Sequence, residues 1–240
     1  MSIQRLMERA PVIPVLEVSE TSQAVPLARA LVAGGLPIIE ITLRTDAAFG
    51  VIEAINRDVP DATVGAGTVT RPEQFDRARD AGAQFTVGPG ATETLLGAAQ
   101  DRGMDFLPGV VTPAEILRAQ EADWQYLKFF PAEPFGGARA LQSLHGPFPD
   151  VKFCPTGGVN VHNYRDYLDL PNVLCVGGSW VAPKSLVERG DWQRITELAG
   201  QATGRYPAAT DEAGNNEADS GSDVGEEDPG SATEILYGGD

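Results

Sequence analysis

Eight short runs of β-branched and apolar residues recur along the first 180 positions: "PVIPVL" from 11, "IIEITL" from 38, "ATVGAGT" from 62, "FTVGPG" from 85, "DFLPGV" from 105, "YLKFFP" from 126, "VKFCPTGG" from 151 and "VLCVGGS" from 173. Their starts lie 20 to 27 residues apart, the length of one strand, one helix and two short loops. The stretches between them, among them "TSQAVPLARALVAGG", "TDAAFGVIEAINRDV", "RPEQFDRARDAG", "TETLLGAAQDRG", "TPAEILRAQEA" and "NVHNYRDYLDL", carry apolar residues at helical spacing. Several open on Thr or Asn, which cap helix N-termini, and several close on Gly, which ends them. Eight strand-helix units in about 200 residues is the count of a compact (β/α)8 TIM barrel of the α/β class. An open doubly wound sheet is the alternative, but no GxGxxG opens a helix after the first run. A barrel places its chemistry at the C-terminal ends of the strands.

The repeat stops near residue 203, so the expected organisation is one barrel domain over 1–203 and a separate segment over 204–240. Charge marks the same boundary. Residues 1–200 carry 24 acidic and 17 basic side chains, whereas 207–240 carry ten acidic and no basic ones. The stretch "AATDEAGNNEADSGSDVGEEDPGSATE" has no apolar periodicity and no aromatic before Tyr237, the composition of a solvated, disordered tail. An acid excess even in the repeat region, in a chain that has fifteen arginines and three lysines in all, is consistent with a surface adapted to high salt and argues against nucleic acid as a partner, because no basic stripe exists to neutralise phosphates. No apolar run reaches the length of a membrane span, and the N-terminal stretch is broken by charges and prolines. The expected location is cytoplasmic, away from membranes. Cys154 and Cys175 lie in no CxxC or Cys/His cluster and read as small buried apolar residues in a reducing compartment.

Strand parity separates the polar residues of the second run. In "IIEITLRT", Glu40, Thr42 and Arg44 share one face and Ile39, Ile41 and Leu43 the other. The outer face of a barrel strand packs on helices and takes Ile and Leu, so the polar face points inward, where a carboxylate and a guanidinium are costly unless paired or used. In "YLKFFP", Tyr126, Lys128 and Phe130 share a face, and parity alone leaves open which one. An ammonium set among aromatic rings or beside other cations loses its charge more readily and becomes a nucleophile. The competing reading has Lys128 snorkel to the surface or pair structurally with an acid.

"CPTGGV" ends the seventh run and "CVGGSW" the eighth. Paired Gly-Gly loops there let backbone N–H groups approach an anion closely, and these two positions are the recurrent phosphate site of the barrel fold. Thr156 and Ser179 add hydroxyl donors. A lysine, a carboxylic acid, an arginine and a phosphate cradle together fit imine chemistry on a carbonyl substrate: the imine is an electron sink that permits cleavage of the carbon-carbon bond beta to it, and the glutamate shuttles protons. No metal or other cofactor is expected. His145, in "SLHGPFP", and His162, in "NVHNY", have no partner at ligand spacing and read as ordinary surface or helix-start residues.

"EITLRT", "VGAGTV", "VGPG", "FLPGV", "LKFFPAE", "FCPTGGV" and "VLCVGGSW" together resemble the 2-keto-3-deoxy-6-phosphogluconate (KDPG) aldolase family, which includes 4-hydroxy-2-oxoglutarate aldolases. The resemblance runs in order over about residues 5–200 and leaves out the acidic tail. It implies a class I aldolase, a (β/α)8 barrel assembled as a homotrimer, that cuts KDPG to pyruvate and glyceraldehyde 3-phosphate in the Entner-Doudoroff pathway. It makes Lys128 the Schiff-base lysine and Glu40 the general acid/base. Arg44 and Thr68 would hold the pyruvate carboxylate with Pro89 lining the pocket, and Gly157, Gly158 and Ser179 would bind phosphate, helped by Thr156 and Gly178.

Three rival readings stay open from sequence. One is an aldolase for the galactonate epimer or for unphosphorylated 4-hydroxy-2-oxoglutarate. Another is a phosphosugar isomerase or epimerase on the same barrel, which needs acid/base groups but no imine. The last is a non-catalytic sensor of a phosphorylated sugar acid. Lys152, which opens a strand, and Lys184, which follows a proline in a loop, are expected to be solvated.

Overall fold

The computed structural model describes residues 2–205. Of the segment expected to be a disordered tail, 204–240, residues 206–240 lie outside the described residues.

Each expected apolar run forms strand structure. The strands are β1 (Val12–Leu16), β2 (Ile38–Thr42), β3 (Thr63–Gly67), β4 (Phe85–Val87), β5 (Phe106–Leu107), β6 (Gly109–Val110), β7 (Tyr126–Phe129), β8 (Lys152–Pro155) and β9 (Val176–Gly178). The fifth run, expected as one strand, is two short segments parted by Pro108, because proline has no N–H to give to a ladder. All pairings are parallel, and they follow the chain: β5-β4-β3-β2-β1-β9 in one sheet and β6-β7-β8 in the other. Isolated bridges Phe153↔Val173 and Thr156↔Gly177 join β8 to the β9 segment. The result is a curled parallel sheet of the α/β class.

The helices run on the outside of that sheet. They are α1 (Ile3–Glu8), α2 (Thr21–Ala33), α3 (Ala48–Asp58), α4 (Glu73–Asp80), α5 (Glu93–Asp101), α6 (Pro113–Glu121), α7 (Gly137–His145), α8 (Tyr164–Leu168), α9 (Lys184–Arg189) and α10 (Trp192–Ala202). Local chemistry sets several boundaries. "TPAE" builds a complete capping box at α6: Thr112 Oγ1 accepts from the Glu115 N–H at 3.3 Å, Glu115 Oε2 accepts from the Thr112 N–H at 2.8 Å, and Pro113 fills the first helical position where no N–H is needed. Thr92 caps α5 through the Leu95 N–H at 3.2 Å. The stretches quoted for helical spacing leave out α1, α7, α9 and α10, although α10 buries Ile195, Ala199 and Ala202 at that spacing. Two of them, α1 and α9, have six residues, shorter than the two turns that make a periodicity visible.

Every residue of β2 is buried, Glu40 and Thr42 as much as the isoleucines, because one face meets helices and the other meets the interior of the curled sheet. Arg9, just after α1, donates to Thr63 Oγ1 at 3.0 Å, so α1 sits against the N-terminal edge of β3, the end of the sheet away from the glycine loops. A satellite cluster of Phe75, Leu95, Leu96 and Phe106 packs under α4 and α5, with edge-to-face ring contacts Phe75–Phe106 and Phe106–Trp124 at 5.1 and 5.8 Å. Cys154 and Cys175 are buried free thiols. The hydrogen bond to Cys154, and burial after it, push the Cys175 thiol well above its ordinary value, so it stays protonated and inert. His145 ends α7 half-buried rather than lying in a loop, and His162 is exposed.

Candidate active site

Strands β2 and β7 are far apart in sequence, yet they aim Glu40 and Lys128 at one point. Lys128 Nζ donates to Glu40 Oε1 at 3.2 Å, and the two side chains are only 6% and 4% exposed. Parity leaves the direction of Lys128 open; the structure turns it to the polar face of β2. Room for the carboxylate comes from β3, where a Cβ on Gly67 would stand 2.1 Å from Glu40 Oε1. The Phe130 ring flanks the ammonium at 5.3 Å from its centroid, a cation–π distance. Thr42, next on the same face of β2, donates its hydroxyl to the Leu16 carbonyl at 3.0 Å, which offsets the cost of burying it.

Beyond Phe130 a cavity of about 380 Å3 opens at the C-terminal strand ends, where the repeat predicts a site. Thr42, Arg44, Phe130, Thr156, Gly157, Gly158, Gly178 and Ser179 line it. Arg44 is exposed at the mouth, and among the described residues its guanidinium has no hydrogen bond or ion pair. Gly157 and Gly158 have φ of 97° and 84°, a conformation that a side chain disfavours and that turns successive N–H groups toward a concavity. Thr156 Oγ1 fills the space left by Gly177, with 2.2 Å to where a Cβ would be.

Thr68 and Pro89 do not line this cavity. Thr68 follows Gly67, which leaves the space that Glu40 occupies, and the Pro89 carbonyl carbon and oxygen lie against Gly109, the register partner of Lys128. Thr68 also has φ of 63°, rare for a β-branched residue. Backbone strain of this kind concentrates where a site must aim a particular group.

Two cavity residues do not stand out as binding groups from sequence. Glu17 lies at the end of β1, and Lys184, expected to be only solvated, is exposed and also lines the cavity. Its position one residue after Pro183, shortly beyond the Gly-Gly-Ser loop, is the available signal. Lys152 opens β8, half-buried, and gives its Nζ to the Pro171 carbonyl at 2.9 Å, so it has no path to the site. Among the described residues no group of three or more His, Cys, Asp or Glu side chains is placed to hold a metal ion, and no helix is long and apolar enough to cross a membrane.

A parallel α/β sheet with a buried lysine-carboxylate pair beside a glycine-walled cavity at its C-terminal edge fits the class of lysine-dependent carbon-carbon lyases. The family model for KDPG and KHG aldolase matches residues 3–198. The 2-dehydro-3-deoxy-phosphogluconate aldolase of Pseudoalteromonas atlantica is 51% identical over 201 residues, covering 84% of this chain and 94% of the relative. The KHG/KDPG aldolase of Escherichia coli is 49% identical over the same length and coverage. Among solved structures, the KDPG aldolase of Legionella pneumophila, described with pyruvate captured as a covalent carbinolamine intermediate, superposes with a TM-score of 0.81 at 44% identity, over 82% of this chain and 96% of that one. The Zymomonas mobilis enzyme with 3-phosphoglycerate gives 0.80 at 43%, over 86% and 97%. The chain belongs to the KDPG and KHG aldolase family.

Proposed function

We propose that this protein is a class I aldolase that cleaves 2-keto-3-deoxy-6-phosphogluconate to pyruvate and glyceraldehyde 3-phosphate, the aldol step of the Entner-Doudoroff pathway, through an imine on Lys128. The observation that carries the reading is the buried Lys128–Glu40 pair at 3.2 Å. A neutral amine and an acid arise from that pair by moving one proton from nitrogen to oxygen, with no outside base.

Lys128 Nζ attacks the C2 carbonyl to give a carbinolamine, and Glu40 protonates the departing hydroxyl as the imine forms. The resulting carboxylate takes the C4 hydroxyl proton, directly or through the released water. The C3–C4 bond then breaks, its electrons pass to the iminium nitrogen, and the aldehyde leaves. The remaining enamine is protonated at C3 by Glu40, and water hydrolyses the pyruvate imine to free Lys128. Arg44, a cation at the mouth with no partner among the described residues, holds the carboxylate with Thr68, and Pro89 lines that end. Gly157, Gly158, Gly178, Ser179 and Thr156 receive the phosphate, a remote group whose binding positions the reacting carbons.

The same reading takes the curled sheet as a complete (β/α)8 barrel over 1–203 with 204–240 as an appended acidic segment. It places the enzyme in the cytoplasm as a homotrimer acting on a small molecule, without metal or cofactor. Sodium borohydride with pyruvate is the test: inactivation with a mass increase on the Lys128 peptide is expected, and an unmodified Lys128 peptide would sink the imine mechanism.

A further inference from the structure

The segment that carries Lys128 also lines the cavity with Phe130 and then backs its glycine loop. After β7 the chain turns at Phe130-Pro131 and immediately meets the phosphate loop: the Ala132 N–H donates to the Thr156 carbonyl at 2.8 Å and the Glu133 N–H to the Gly157 carbonyl at 3.0 Å. The stem of Glu133 lies flat on Gly158, where a Cβ would stand 2.5 Å from both Glu133 Cβ and Cγ. Beyond the stem, Glu133 Oε1 accepts a hydrogen bond from the Tyr167 hydroxyl. Tyr167 is 1% exposed, and burial, with Glu133 after it, pushes its phenol well above the ordinary tyrosine value, so it remains a donor throughout the neutral range. Gly137 leaves the space in which the two oxygens meet: a Cβ there would stand 3.1 Å from Glu133 Oε1 and 3.2 Å from the Tyr167 hydroxyl.

A carboxylate rooted on the back of a phosphate cradle is an electrostatic liability, because a dianion there would repel it. Its hydrogen bond to Tyr167 turns the charge toward Gly137 and fixes the stem on Gly158. Resting on the aldolase reading, we propose that Glu133, held by Tyr167, is a positioning residue for the Gly157–Gly158 cradle. Because Lys128 and Glu133 lie on one short segment, this contact also fixes the distance between the imine carbon and the phosphate. It therefore selects substrates whose phosphate lies at the matching chain length.

Tyr167→Phe removes only the hydroxyl and frees the carboxylate. The expected result is a rise in KM for KDPG of roughly tenfold, the scale of one charge-assisted hydrogen bond, with kcat within about twofold and an unaltered rate of borohydride trapping of pyruvate on Lys128. Adding Glu133→Gln to that variant removes the repelling charge and is expected to return KM most of the way, a rescue that mere loosening of the fold would not give. Calorimetric titration with inorganic phosphate reads the cradle without any chemistry: weaker binding in Tyr167→Phe and recovery in the double variant support the proposal even if pyruvate fails to trap, an outcome that would count against the imine and not against the cradle. Unchanged KM and phosphate affinity in Tyr167→Phe, or equal loss for 4-hydroxy-2-oxoglutarate and KDPG, or no recovery in the double variant, overturns it.

Discussion

The buried lysine–carboxylate pair and the cavity beyond Phe130 are the two ends of the site, and they are built in opposite ways. At one end, Lys128 and Glu40 are ionisable side chains held 3.2 Å apart and almost wholly buried. At the other, Gly157, Gly158 and Gly178 offer backbone, and Ser179 and Lys184 stand in solvent. Burying two charges is expensive and is tolerated only when each satisfies the other. A backbone cradle costs little to expose, and it places donors without a side chain that could misalign. On the proposed reading, the reactive groups sit where water is excluded and the phosphate handle of the substrate is gripped where it enters.

Breaking the buried end gives the largest effects. Lys128→Met removes the nucleophile and is expected to cut turnover on the order of 10^5-fold, as loss of a covalent catalyst does, and to abolish pyruvate trapping. It also leaves Glu40 buried without a partner, at about 3–5 kcal/mol of stability, so the melting temperature falls. The double variant with Glu40→Gln is expected to recover most of that stability and none of the activity. Recovered activity would show that the pair is structural, the competing reading of Lys128.

Glu40→Gln alone sharpens the division of labour within the pair. It keeps a polar partner for Lys128 and removes the proton carrier. Turnover is expected to fall by about 10^2–10^4-fold, the range of general acid/base catalysis, while pyruvate still traps on Lys128, more slowly. A variant that traps nothing would mean that Glu40 is needed to free the amine as well as to move protons.

The open end is expected to answer in KM. Gly157→Ala forces a side chain into a φ of 97° and brings its Cβ within 3.1 Å of Pro131 Cα and Cβ. The N–H groups of the cradle must then turn, and KM for KDPG is expected to rise by about 10–100-fold at roughly 1–3 kcal/mol of strain. Pyruvate trapping, which uses no phosphate, is expected to stay at the parent rate. Equal damage to both measurements would join the two ends into one unit.

How much of this is legible in the sequence follows the same divide. The period of 20 to 27 residues predicts every strand run, and the parity of "IIEITLRT" puts Glu40 and Thr42 on the inner face, because alternation is a local property. Pro108 interrupts a run that apolar content alone reads as continuous. Parity cannot orient Lys128, since both faces of "YLKFFP" are apolar and the deciding partner is 88 positions away. The Gly-Gly loops are visible because glycine pairs at strand ends have few other uses, whereas Tyr167 and Glu133 are not, as their contact crosses 34 positions and neither residue type announces it. Thr68 is reached by resemblance, and its positive φ is a tertiary fact that no residue pattern carries.

Lys184 is the finest test of the comparison, because it is a charged side chain at the end built mostly from backbone. Its ammonium is 66% exposed and shares a long contact of 3.9 Å with Glu188, which is 60% exposed, and such pairs contribute little. Yet it lines the cavity along with Glu17, and once Arg44 is engaged with a carboxylate it is the remaining cation on that wall among the described residues. Swinging from Glu188 to an incoming phosphate costs it almost nothing and adds attraction that salt screens. Lys184→Ala is therefore expected to raise KM for KDPG by roughly two- to fivefold at low ionic strength, and the difference from the parent is expected to vanish near 1 M salt, where screening reaches about 3 Å. An effect that persists at high salt would put Lys184 in direct, desolvated contact with the phosphate. The open end would then hold its ligand partly by the same buried-charge strategy as the closed one.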